Sequence, residues 1–314
     1  MTLVVAAFGF VAGTASAQTI TIGTLPQGSL AFSTAAAVAK VISDNSDLNM
    51  RAVGFGGSNI FIPQLDQGKL EMTTATIIES VMAKDGTGIF KGRKHPNLRV
   101  LTRLLTFEVG FMVAKNSSIQ KLTDFKGQPF PSDFTSQKVV EVLVRAAFAA
   151  EGMSFADVKG VPVPNFIRGT DEFVAGRVKG SFLAPGSSVV RKANAKMAIR
   201  FLSLDNTPAK AAIVAKIAPG TIFKVVKPSK RMPYIEKPTT MMAFDYMILI
   251  NADVPDDVAY KAAKAIHGGK KSLIASHGVF NGFKPDRMAK KDLGIGYHPG
   301  AIKYYTEAGQ WPPK

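Results

Sequence analysis

The chain has 314 residues, too many for one small core, and its 46% hydrophobic and 20% charged content is that of a folded protein. It contains no cysteine, which excludes disulfides, thiolate metal sites and a cysteine nucleophile. Its four histidines (His95, His267, His277, His298) have neither HxxxH nor HExxH spacing, which argues against a zinc site. The net charge of +16 is concentrated between residues 189 and 237, where 11 Lys/Arg face 2 Asp/Glu. These cations are spread out and not interleaved with aromatics, the pattern of a solvated basic face and not of a single-strand nucleic-acid binder.

Residues 1–17, MTLVVAAFGFVAGTASA, are uncharged and end in Ala15-Ser16-Ala17, a small-x-small cleavage pattern. They read as a secretory signal peptide cut after Ala17, although a basic n-region is missing; the competing reading is a buried apolar strand. No second stretch is long enough to span a bilayer, so an exported, soluble mature protein is expected.

Residues 19–24 alternate β-branched and small residues as a strand does, and a turn at Pro26-Gln27-Gly28-Ser29 leads into an Ala-rich helix from 31 to 42. A strand–turn–helix unit of this kind leaves free N–H groups at the sheet edge, where ligands of open α/β sheets collect. A second strand over 48–55 runs into Gly54-Phe55-Gly56-Gly57-Ser58-Asn59 and a helix, in which Pro63 fits only the first turn. Strand 71–76 and helix 77–83 follow, then a loop and strands at 98–107 and 109–114, with the crossing into a second lobe between them.

The second lobe repeats the pattern. A strand at 128–131 is followed by Ser132-Asp133-Phe134-Thr135-Ser136-Gln137 and a strongly periodic helix over 138–151. Asp133 is read as the cap of that helix. Strands at 158–163, 180–183 and 199–204 and helices at 171–175 and 187–195 complete it. The apolar strand 241–250 leads back to the first lobe, followed by helices at 254–266, 270–277 and 301–308. Strands alternating with helices predict an α/β fold with a mostly parallel sheet and two turn-bearing edges facing across a cleft.

Several stretches resemble one family: ITIGTLPQGSLAFSTAAAVAKVI at 20–42, IPQLDQGKLEMTTA at 62–75, IQKLTDFKGQPF at 119–130, VPVPNFIRGTDEFVAGRV at 161–178, MMAFDYMILINADVPDDVAYKAAKAI at 241–266 and YHPGAIKYYTEAGQW at 297–311. Together they look like the extracytoplasmic solute-binding receptors of TRAP transporters, in the TAXI subfamily. The resemblance implies a two-lobed type II periplasmic binding protein with a ligand cleft between the lobes. It divides the mature chain into lobe I (18–108 and 252–314) and lobe II (109–251). It implies a periplasmic, monomeric receptor with no catalytic residue, cofactor or metal. Its ligand would be a small organic anion (a carboxylate, an amino acid or a 2-oxo acid) delivered to a TRAP membrane permease.

The resemblance places candidate ligand contacts at Gln27, Gly28, Ser29 and Phe32, at Gly57, Ser58 and Asn59, and at Thr76. In lobe II it places them at Phe134, Thr135, Ser136 and Gln137. The family's Gly-Ser-x-Gly-Gly-Thr-Tyr loop is here Thr24–Leu30, short of one glycine and the tyrosine, which suggests a more apolar wall. Ser58 and Asn59 serve either a ligand or the helix N-terminus. Arg168 is the candidate carboxylate anchor, because guanidinium pairs bidentately with carboxylate; its alternative is an ion pair with Asp171 or Glu172. Phe182 and Pro185 close a strand toward the cleft or the core, and Tyr246 presents its hydroxyl to the cleft or to the core. Glu79 and Glu108 read as surface groups, and His298 as part of a structural turn. The rival functions are an enzyme of the same bilobal architecture, for which no nucleophile–base pair is evident, and a basic nucleic-acid binder, which lacks a recognition motif.

Overall fold

The computed structural model describes residues 19–313; the signal peptide expected over 1–17 lies outside the described residues. Strand β1 (Thr19–Thr24), helix α1 (Leu30–Asp44), β2 (Asn49–Gly54), α2 (Ser58–Asp66), β3 (Met72–Thr76) and α3 (Ile77–Asp85) open the first lobe. The long β4 (Leu98–Ala114) leads out of it. Then come β5 (Pro129–Ser132), α4 (Lys138–Ala150), β6 (Lys159–Pro162), α5 (Phe166–Val174), β7 (Gly180–Leu183), α6 (Ser188–Lys196), β8 (Ile199–Phe201), α7 (Pro208–Ile217) and β9 (Ile222–Val226). Strand β10 (Thr239–Asn251) returns, and α8 (Asp256–Gly268), α9 (Lys270–Ser276) and α10 (Pro299–Glu307) finish the chain.

The sheet runs β2-β1-β3-β10-β4. Its first three strands are mutually parallel, and β10 is antiparallel to both β3 and β4. The far end of β4 carries β7 and β8, and the near end of β10 carries β9, so the second lobe grows from the same two strands. Strands β5 and β6 form a separate parallel pair. No helix among the described residues is long and apolar enough to cross a membrane.

Local rules account for most elements. Ser29 caps α1, its Oγ accepting from Phe32 N–H at 2.9 Å. Thr76 and Glu79 form a reciprocal capping box at the start of α3: Thr76 N–H donates to Glu79 Oε2 at 2.7 Å and Glu79 N–H to Thr76 Oγ1 at 3.3 Å. The core of lobe II is aromatic, with Phe111 4.8 Å from Phe182 and Phe125 4.9 Å from Phe130, both pairs edge-on.

The structure departs from the sequence reading in five places. The large sheet is not mostly parallel: only β1–β2 and β1–β3 pair parallel, because the long β4 and β10 run antiparallel to each other and to every other strand they pair with. The strands expected at 98–107 and 109–114 are one continuous strand, because β10 supplies a partner across the position where a crossing was placed. Pro63 sits in the body of α2 rather than its first turn. Helix α5 begins earlier than expected because Asn165 caps it, its Oδ1 accepting from the N–H groups of Ile167 and Arg168 at 3.0 and 3.1 Å. Helix α7 and strand β9 were not anticipated: α7 buries only Val214, and Ile222 and Val225 of β9 are exposed, so neither has an apolar face to read.

Where β4 crosses β10, Asp245 accepts from Arg103 Nε at 2.9 Å and also pairs with Lys290. Arg103 donates a further bond to Thr106 Oγ1 at 2.6 Å. The Arg103 and Asp245 side chains are only 13% and 10% exposed, so removing the carboxylate leaves a guanidinium poorly solvated. We expect Asp245→Ala to lower unfolding stability by about 3 kcal/mol, read from urea denaturation.

Candidate functional site

A cavity of about 70 Å³ lies between the lobes. Lobe I contributes the turn after β1 and the start of α1, with Leu25, Ser29 and Leu30, the end of β3 with Thr74 and Thr76, and Glu79 of α3. Lobe II contributes Gln137, Val139 and Val140 at the start of α4, Phe166 of α5, Phe182 of β7 and Ser187 before α6. Strands β4 and β10 supply the floor through Phe107 and Tyr246, whose rings stack at 3.9 Å. The wall is mostly aliphatic and aromatic. Among the described residues no Lys, Arg, His or Asp lines it, and Glu79 is its one acidic side chain.

Helix starts from both lobes converge here because each follows a strand that ends at the cleft. The lobes touch directly beside the cavity. Ser188 Oγ and Val189 N–H donate to the Gly28 carbonyl at 3.0 and 3.4 Å. On the other side, Lys138 N–H at the start of α4 donates to Asn59 Oδ1 at 3.4 Å. A Cβ on Gly57 would lie 1.9 Å from the Ser136 carbonyl oxygen, so this approach admits only glycine although the Gly57 backbone is ordinary extended chain.

Of the residues expected from the sequence, Ser29, Thr76, Gln137, Phe182 and Tyr246 line the cavity. Gly28, Gly57, Asn59 and Ser136 form the contacts between the lobes, and Ser58 is buried beside them. Phe134 is buried at the turn before α4, Thr135 and Gln27 are exposed, and Phe32 lies against Gly54. The Pro185 carbonyl accepts the Tyr234 hydroxyl at 2.6 Å. Phe182 serves both readings, packing on Phe111 and facing the cavity.

Arg168 is not brought to the cavity. The earlier start of α5 puts it in that helix's exposed first turns, where its side chain is 69% exposed and pairs with Asp171 at 3.1 Å. Asp133 does not cap α4. The Ncap is Gln137, Asp133 adopts φ 62°, and it is the Asp133 carbonyl that accepts from Lys138 Nζ at 2.8 Å. His298 caps α10, its Nδ1 accepting from Gly300 N–H.

Glu79 reads from the sequence as a surface group, yet it is 4% exposed and lines the cavity. The signal was present in the Thr76-x-x-Glu79 spacing of a capping box, which turns the glutamate back toward the sheet end. Glu108, by contrast, is partly exposed and pairs with Lys224.

Polar groups at the lobe interface are under-used. Ser58 Oγ, Ser187 Oγ and the Tyr246 hydroxyl are buried, and among the described residues none has a hydrogen-bond partner of good geometry, although Ser58 lies close to Glu79 and Tyr246 close to Thr74, Thr34 and Thr24. Gln137 Oε1 accepts from Phe166 N–H at 3.3 Å, which leaves the donor end of its amide for the cavity. Burial pushes the Glu79 carboxyl above its ordinary value of 4.5, with Ser58 and the Thr76 N–H pulling the other way. Burial likewise raises the Tyr246 hydroxyl, opposed by Thr74, Thr34 and Thr24.

These features define a two-lobed solute-binding-protein fold with its cavity at the lobe interface. The chain belongs to the NMT1-like family, which it matches over residues 22–309. Among solved structures it is similar to the periplasmic binding protein BugD, at 8% identity and TM-score 0.62, over 93% of this chain and 95% of that one. It is also similar to MatC from Rhodopseudomonas palustris with bound malate, at 12% identity and TM-score 0.59, over 93% and 97%. A third is the alkanesulfonate-binding protein SsuA from Xanthomonas axonopodis pv. citri bound to MOPS, at 13% identity and TM-score 0.53, over 93% and 91%. At these identities the likeness is one of fold.

Two outcomes are expected. Gly57→Ala should fold with unchanged circular dichroism but weaken ligand affinity by at least about tenfold, measured by calorimetry, because the lobes can no longer meet. Because Glu79 has a raised folded-state pKa, its contribution to stability is full below its unfolded value near 4.5 and is lost as pH rises through the raised one. Glu79→Gln cannot ionise and keeps an acceptor for Thr76 N–H. Its stability relative to wild type should therefore climb as pH rises from 4.5, as followed by urea melts across pH.

Proposed function

We propose that this chain is the extracytoplasmic receptor of a TRAP-type uptake system of the TAXI kind. It binds a small organic acid between lobe I (18–108 and 252–314) and lobe II (109–251) and hands it to the membrane permease. The observation that carries this is the cavity built jointly by both lobes, with the lobes hydrogen-bonded to each other at its rim. A ligand that touches both walls favours the closed arrangement by its differential contacts, and β4 and β10 are the segments about which the lobes turn.

The acid group finds its donors at the lobe II wall. The Gln137 amide and the Ser187 hydroxyl stand at the starts of α4 and α6, where N–H groups and the helix dipole favour negative charge. The apolar remainder of the wall suits an aliphatic or aromatic body. The proposal assigns the chain no catalysis and no cofactor, and places it in the periplasm as a monomer. Arg168 has no part in holding the ligand within the cavity.

The test is thermal unfolding of residues 18–314 against carboxylates, amino acids and 2-oxo acids. A true ligand at a hundredfold excess over its Kd should stabilise the protein by about 2.7 kcal/mol. Arg168→Ala should show the same shift. No shift with any compound, together with no small molecule released from the denatured protein by mass spectrometry, would remove the receptor assignment.

A further inference from the structure

We infer that Glu79 is the cavity's acceptor for a protonated amino group, so that the ligand is a small apolar amino acid and not a dicarboxylate or a 2-oxo acid. The inference rests on the receptor assignment above and deepens it.

Charge balance comes first. The lining holds one carboxyl group and no cationic side chain. A dicarboxylate would bring two negative charges into an apolar enclosure beside that carboxyl, with only helix ends and neutral donors to oppose them. A zwitterion brings both signs. Its ammonium meets Glu79 on the lobe I side, and its carboxylate meets Gln137 and Ser187 on the lobe II side, so one ligand bridges the two lobes.

Geometry agrees. Glu79 Oε2 is held by Thr76 N–H at 2.7 Å, which fixes the carboxyl at the start of α3. The hydroxyl of Tyr246, from β10, faces the cavity near it, and that of Ser58, from α2, lies close to the carboxyl outside the lining. An ammonium has three donors to distribute among such acceptors. The remaining wall, including Leu30, Phe107, Val140 and Phe182, is suited to an aliphatic side chain. A cavity of about 70 Å³ is small beside ordinary ligand sites of roughly 300–1,000 Å³, which favours the smaller amino acids.

Protonation supplies an independent signature. Burial raises the Glu79 carboxyl, and an ammonium beside it draws the carboxyl back down, so over the pH range between the two values binding releases a proton to the buffer. Tyr246 is the other titratable group facing Glu79; Ser58 of α2 and Thr76 of β3 do not titrate.

The experiment is calorimetry on the 18–314 chain with alanine, valine and leucine, with 3-methyl-2-oxobutanoate as the 2-oxo counterpart of valine, and with succinate. Each is run at neutral pH in two buffers of different ionisation enthalpy. At least one apolar amino acid should bind with proton release, and the 2-oxo acid and succinate at least about tenfold more weakly. Glu79→Gln should keep its circular dichroism, melt at or above the wild-type midpoint at neutral pH, lose at least about tenfold in amino-acid affinity, and lose the buffer dependence of the heat. The inference is overturned if Glu79→Gln binds the amino acid like wild type, if the 2-oxo acid or succinate binds as tightly, or if no apolar amino acid binds. In those cases the receptor assignment survives wherever another compound binds, or where mass spectrometry finds a retained small molecule. It falls with the inference where neither is seen.

Discussion

Everything in this molecule hangs on the antiparallel pairing of β4 with β10. The two strands are in register from Leu98 opposite Asn251 to Val109 opposite Met242, and each continues beyond that ladder into the second lobe. They therefore complete the first lobe's part of the sheet and carry the strands of the second lobe, and among the described residues they are the longest strands. Register shifts at Tyr246/Met247 and Ile248/Leu249 kink the ladder where it passes the cavity floor. The Arg103–Asp245 pair sits at the same crossing, with Lys290 from the C-terminal segment added to it. A shared pair of strands with a bulged middle joins two lobes that each keep their own core.

The cavity reverses the usual economy of a protein interior. Buried polar groups are normally hydrogen-bonded, yet Ser58, Ser187 and Tyr246 each keep a buried hydroxyl without a partner of good geometry among the described residues, and Glu79 is held in surroundings that disfavour its charge. These groups cluster at the lobe interface, where an incoming ligand can satisfy them. Closeness is arranged with the same care: Gly57 meets the Ser136 backbone on one rim, and on the other the Gly28 carbonyl accepts the Ser188 hydroxyl. The unfavourable burial of polar groups is tolerable because the long apolar β10, buried over nearly its whole length, anchors the interior around them.

Much of the architecture was legible in the chain. Period-2 and period-3.6 patterns located β1, α1, β3, α3 and α4 closely, since each buries one clear face and several carry their own caps. What escaped were elements whose residues look alike on every side, such as α7 with only Val214 buried, and β9 with Ile222 and Val225 in solvent. The site was legible by turn: the strand–turn–helix edges pointed to Ser29, Thr76 and Gln137. It was illegible by side chain, since Arg168 lies outside and Glu79 inside.

The sequence by itself determined the α/β class, the two facing loop edges and the absence of thiol chemistry, because hydrophobic period, turn residues and composition are local properties. Only the tertiary structure decided that β4 is one strand, that Asn59 reaches across to α4, and that a glutamate four-hundredths exposed is the cavity's one acid. Those outcomes depend on which surfaces meet. A helix start five residues earlier, at 166 where 171 was expected, as Asn165 imposes on α5, puts Arg168 on an exposed helix turn beside Asp171 and not in the cleft.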